Sequence, residues 1–191
     1  MGVFLILFSY LLGSVLFGEI IAKLKGVNLR EVGSGNVGAT NVSRALGKKY
    51  GAVVFFLDML KGLIPTALAV KIYGYDSWIT VFTGIASVLG HMFPIFFNFK
   101  GGKGVATSFG VLVALSPLVA FVSILVWLVV LYLTRYVSLS SLVASFSAFI
   151  YLLILDYPAK IIVMAFLIFL LILYKHRENI ERLIQGRELK V

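Results

Sequence analysis

Three short segments hold the residues able to do chemistry. The first is Gly33-Ser34-Gly35-Asn36-Val37-Gly38-Ala39-Thr40-Asn41, followed by Arg44. Its three glycines permit positive φ and close backbone approach, and successive N–H groups in such a turn form an anion nest. Ser34, Asn36, Thr40 and Asn41 add neutral donors, and the Arg44 fork matches phosphate oxygens. A plain capped turn has the same spacing. The second segment is Phe99-Lys100-Gly101-Gly102-Lys103-Gly104, ahead of an apolar stretch from Val105. A glycine loop feeding a helix offers free N–H groups and the positive end of the dipole, with Lys103 supplying charge. It is not a Walker A loop, because Gly104 stands where Ser or Thr is needed. A basic hairpin touching anionic headgroups fits it too. The third segment runs from Tyr174 to Glu188. A helix puts His176 and Asn179, three apart, on one face. Ile180, Leu183 and Ile184 suit a membrane surface, and a snorkelling basic helix end is the plainer reading.

Other chemistries are excluded. The chain has no cysteine, so disulfides, thiolate metal sites and a cysteine acyl-enzyme are ruled out. No His/Asp/Glu cluster has metal-ligand spacing, and no Gly-x-Ser-x-Gly elbow occurs. No metal, organic cofactor or nucleic-acid partner is expected. Asp58 and Lys61 lie three apart inside an apolar run, where either charge unpaired is expensive. They read first as mutual structural glue, and Lys61 reaching a site near the cytoplasmic side is the alternative. His91 and Pro94 are open to either a structural or a site role, and Glu19 with Lys23 reads as an ordinary i,i+4 pair.

The elements that must position these segments are membrane helices. Of 191 residues, 61% are hydrophobic and the mean hydropathy is +1.05, against about 45–50% apolar in soluble domains. Apolar runs fall at about residues 2–22, 51–73, 77–97, 105–134, 137–155 and 158–174, joined by short connections, so one membrane domain over 1–191 is expected. The first run lacks a basic start and a cleavage site and reads as a retained helix. The fourth is too long for one crossing, and Ser116-Pro117 interrupts it. It divides into about 104–115 and 117–134, the first too short to span easily. Seven crossings, with the N-terminus outside, place every Lys and Arg except Lys61, Lys71 and Lys160 on the cytoplasmic side. Six would move Arg135 and the basic C-terminal tail outside, so the positive-inside rule favours seven, with the C-terminus in the cytoplasm. The expected fold is therefore all-α, a seven-helix polytopic membrane protein.

Taken together, the segments resemble those of the bacterial acyl-phosphate:glycerol-3-phosphate acyltransferase family. The matching stretches are Ser34 to Asn41 with Arg44, Lys61-Gly62 with Pro65, Gly90-His91 through Phe99 to Thr107, and Lys175-His176-Arg177 with Asn179-Ile180 and Arg182-Leu183, ending at Gly186-Arg187-Glu188. The resemblance implies transfer of a fatty acyl group from acyl phosphate to the 1-hydroxyl of sn-glycerol 3-phosphate. The products are lysophosphatidic acid and inorganic phosphate, formed at the cytoplasmic side of the bacterial inner membrane. It implies catalytic parts for Ser34, His176 and Asn179. It implies phosphate binding by Gly35, Asn36, Gly38, Thr40, Asn41, Arg44, Gly101, Gly102, Lys103 and Gly104. The partners it implies are the two substrates, membrane lipid and the soluble enzyme that makes acyl phosphate. Composition agrees: two phosphates need two anion subsites, and an activated donor needs no enzyme nucleophile. A small anion transporter would also place glycine loops at helix ends, with internal repeats, and a scaffold would not need so many polar residues on one side.

Overall fold

A computed structural model describes residues 1–191 as an all-helical bundle. The first apolar run forms two helices, α1 (Gly2–Gly13) and α2 (Phe17–Leu24), where the sequence suggests one. The break at Ser14–Leu16 has a visible reason. It frees the Val15 carbonyl, which accepts a hydrogen bond from buried Lys61 Nζ at 2.8 Å. A short helix, α3 (Ala39–Leu46), follows the first glycine loop. Then come α4 (Lys48–Tyr73), α5 (Trp78–Met92) and α6 (Val105–Leu115). After these lie α7 (Pro117–Thr134), α8 (Val137–Ile154), α9 (Ala159–Lys175) and α10 (Arg177–Ile184).

Division of the fourth run is as the sequence leads one to expect. Ser116 caps α7 by accepting from the Val119 N–H at 3.2 Å, and Pro117 takes the first helical position, where its missing N–H costs nothing. Five spans have the length and composition to cross a membrane, six if α9 and α10, bent by 59°, count as one. At eleven residues, α6 is only about 16 Å long. Phe4, Leu7, Phe56, Leu118, Phe121 and Leu133 are exposed around the outside, as lipid contact requires.

Close helix approach is made by glycine. A Cβ on Gly62 of α4 would run into the Thr107 carbonyl of α6, and one on Gly110 into the Met59 carbonyl. Gly13 and Gly90 bring α1 against α5 in the same way. Small residues are the usual device for membrane-helix contact, because lipid offers no hydrophobic drive for association. The main core joins α5 through α9 around Val88, Val111, Leu152, Ile161 and Met164. A smaller core of Leu16, Ala22, Leu29, Val37, Val42 and Val54 seats the first glycine loop on α2 and α4.

The intramembrane charges are paired. Lys61 Nζ lies 2.9 Å from Asp58 Oδ1, and His91 Nδ1 lies 3.7 Å from the same oxygen. All three residues are buried. Glu19 corrects the sequence reading: its partner is Arg30, at 3.9 Å, because the chain after α2 folds back over that helix.

Candidate active site

The first glycine loop is shaped by its own amides. Gly33 and Gly35 adopt φ of 60° and 68°. Asn41, buried at the start of α3, donates to the carbonyls of Leu29 (3.1 Å) and Val32 (2.9 Å) and accepts from the Ser34 N–H (2.9 Å). Asn36 accepts from the Gly38 N–H at 3.1 Å. Both side chains were expected to face substrate. Both line the cavity described below, yet their bonds hold the loop in shape. Gly38 caps α3 without a side-chain bond, so the first N–H groups of that helix stay open beside Ala39 and Thr40. Arg44 stands one turn further on, its Nη2 donating to the Leu189 carbonyl at 3.3 Å.

The second loop leans on α5. The Gly102 N–H donates to the His91 carbonyl at 3.0 Å. A Cβ on Gly101 would strike that carbonyl, and one on Gly102 would strike the His91 ring. These two glycines therefore pack the loop against α5, and neither lines the cavity. Gly104, at φ 79°, turns the chain into α6. What the loop presents is Lys103, whose ammonium donates to Asn179 Oδ1.

The third segment folds back on itself. Asn179 Nδ2 donates to Glu188 Oε1 at 2.6 Å, Ser138 Oγ donates to the same oxygen at 2.8 Å, and Arg182 Nε pairs with Glu188 Oε2 at 2.8 Å. Burial pushes the Glu188 carboxyl up, but its bonds to Arg182, Asn179 and Ser138 outweigh that and hold it below its ordinary value. Burial lowers Lys103 to about 8; Arg182 and Arg44 add to the shift and Glu188 opposes it. His176 is buried, and its Nδ1 lies 2.8 Å from the Ile172 carbonyl. A carbonyl only accepts, so Nδ1 carries the proton and Nε2 is the acceptor. Burial, then the Lys103 charge, lowers this ring to about 4, so it is neutral at physiological pH.

One cavity of about 890 Å³ joins the three segments. Ser34, Asn36, Gly38, Thr40, Asn41, Arg44, Lys103, Gly104, His176 and Asn179 all line it. Gly35 does not; its positive φ serves the turn. Beyond this polar end the wall is mostly apolar, made chiefly by one face each of α6, α7, α8 and α9 with scattered serines such as Ser108, Ser123 and Ser141, while Asp58 of α4 and His91 of α5 also line the cavity. Glu188 and Ser138 are the residues the sequence left unassigned. Glu188 is one of three glutamates in a basic tail, with Glu178 and Glu181, and no periodicity reveals that the tail returns to α8 and α10.

An anion-holding end fused to a long apolar sleeve is the shape of a lipid-forming site, and the relatives agree. The sequence profile of the glycerol-3-phosphate acyltransferase family matches residues 3–186. The chain belongs to this family. A glycerol-3-phosphate acyltransferase of Aquifex aeolicus is 64% identical over 98% of this chain and 97% of its own length. One from Thermus thermophilus is 45% identical over 98% and 94%. Two crystal structures of the integral membrane glycerol 3-phosphate acyltransferase PlsY superimpose on the fold. The glycerol 3-phosphate form gives a TM-score of 0.99 at 63% identity, covering 100% of this chain and 95% of that one. The lysophosphatidic acid form gives 0.95 at 61%, covering 99% and 94%. The chain is thus an acyltransferase with an integral membrane fold, and the transporter alternative falls away.

Proposed function

We propose that this acyltransferase moves a fatty acyl group from acyl phosphate to the 1-hydroxyl of sn-glycerol 3-phosphate. The carrying observation is the single cavity with Arg44, Lys103, Asn179 and His176 at one end and an apolar sleeve at the other. Two cations in a partly buried setting neutralise phosphate more strongly than they would in water. In the reaction the glycerol hydroxyl oxygen attacks the acyl carbonyl carbon and the bond from that carbon to the phosphate oxygen breaks. The hydroxyl proton finishes on the departing phosphate, which leaves as hydrogen phosphate. His176 Nε2 accepts the hydrogen bond of the hydroxyl and aims it. A ring that holds a proton only below about pH 4 is a poor final acceptor, and the leaving oxygen needs that proton as its bond breaks. Ser34 and the open N–H groups of α3 steady a phosphate or the reacting carbonyl, while Asn179 holds Lys103 in place.

The charge pattern supports seven crossings, N-terminus outside and C-terminus cytoplasmic, which sets this site at the cytoplasmic face of the bacterial inner membrane. The soluble enzyme that makes acyl phosphate is then the natural neighbour. Purified protein given acyl phosphate and glycerol 3-phosphate should form lysophosphatidic acid and release phosphate one for one. Efficient turnover with acyl coenzyme A, and none with acyl phosphate, would overturn the donor assignment.

A further inference from the structure

The apolar part of the cavity has a closed far end. Along α8 its wall runs from Ser138, at the Glu188 network, to Leu152, which at 1.5 Å per residue is about 21 Å. Along α9 it runs from His176 to Met164, about 18 Å by the same rise. Leu115, Leu152 and Met164, each at most 2% exposed, lie at that end. Behind them Ser116 Oγ and Tyr157 OH share a hydrogen bond of 2.7 Å that ties the α6–α7 turn to the start of α9. Ring contact between Tyr157 and Tyr75 closes the same corner. The sleeve exists because α6 packs chiefly on α4 while α7 packs chiefly on α8, so the two part company from their shared turn.

We infer that this floor is a ruler: Leu115, Leu152 and Met164 set the longest acyl chain that the enzyme accepts, and the chain is one of membrane-lipid length. Half of a hydrocarbon core of about 30 Å is the room that a leaflet gives its own acyl chains, and the sleeve slightly exceeds it. Short chains leave apolar wall uncovered and gain less from burial. Chains longer than the sleeve meet packed side chains, which yield only at a cost. Ala148 lies one turn above Leu152 on the same wall, and its small side chain keeps the sleeve open there.

The inference rests on the acyl-transfer reading, so binding and turnover are measured separately. Affinity for a series of 1-acylglycerol 3-phosphates of rising chain length tests the ruler without any donor. Wild type should show affinity rising with length and then falling beyond the leaflet-length chain. Ala148→Phe should cost the long chain at least about tenfold relative to a short one, the scale of a missing or clashing methylene in an apolar pocket. Leu152→Ala, a truncation that leaves the fold's backbone contacts untouched, should move the preferred length upward. Turnover of the matching acyl phosphates should follow the same order. A wild type without a length optimum, or folded variants that keep the wild-type profile, overturns the ruler, because the chain then escapes sideways into lipid. A length optimum in binding with no turnover of any acyl phosphate keeps the ruler and sinks the donor assignment.

Discussion

Lys103 and His176 owe their chemistry to burial more than to any neighbour. Lys103 titrates near 8, so it is charged below that pH and neutral above it. The value of kcat/KM for glycerol 3-phosphate should fall about tenfold per unit once pH passes about 8, because that ratio reports the free enzyme. Lys103→Arg, whose charge persists throughout, should lose this alkaline limb if it binds at all; an unchanged limb would show that another group is responsible. His176 has the opposite consequence. Its folded value near 4 lies below the ordinary 6.5, so the unfolded chain takes up a proton that the native one refuses. Stability is therefore lost as pH falls from about 6.5 to about 4, while the ring contributes no activity limb near 6.5. His176→Asn should keep a substantial part of the activity, and His176→Ala should approach the loss of about 10²-fold that misplacing a reacting group costs. The types at these positions were legible in the sequence, and so was their common face. The engaged amides of Asn36 and Asn41 and the packing duty of Gly101 and Gly102 were not, since a glycine or asparagine reads alike whether it meets a ligand or another part of the chain.

At the scale of elements, helix-to-helix distance is fixed by missing side chains. Gly62→Ala would press a methyl on the Thr107 carbonyl, and Gly110→Ala would press one on that of Met59. Each should cost roughly 1–3 kcal/mol of overpacking strain, seen as a lower thermal midpoint in detergent, and together they should displace α6 and weaken phosphate binding through Lys103. Midpoints equal to wild type in both would refute the close α4–α6 approach. Apolar runs and the Ser116-Pro117 break disclosed most of the helices beforehand. The break in the first run was hidden, because its cause lies in Lys61, 46 positions away from Val15. The reach of Glu188 to Ser138, 50 positions away, was hidden for the same reason: local patterning carries no record of tertiary hydrogen bonds.

For the whole molecule, the decisive asymmetry is charge. All basic residues but Lys61, Lys71 and Lys160 belong to the segments assigned to one side. A reporter fused after Val191 should be active only if it is a cytoplasmic reporter, and a periplasmic one should be silent. The reverse pattern would remove the seven-crossing topology and place Arg135 outside as well. The six apolar runs were readable in the sequence; the number of crossings hangs on α6, whose length alone does not decide it.

That short helix has an electrical consequence. α7 has 18 residues and α6 has 11, and the two share one turn, so α6 ends about 10 Å below the level reached by its neighbour. Lys103, just ahead of α6, thus stands lower than the far end of α7, with only about 16 Å of helix between it and the α6–α7 turn. A membrane potential drops mostly across the part of its path that conducts least, at about 2.3 kcal/mol per charge per 100 mV. On the seven-crossing reading, the layer across which that potential falls here is the one closed by buried Leu115 and Leu152 and by the Ser116–Tyr157 bond.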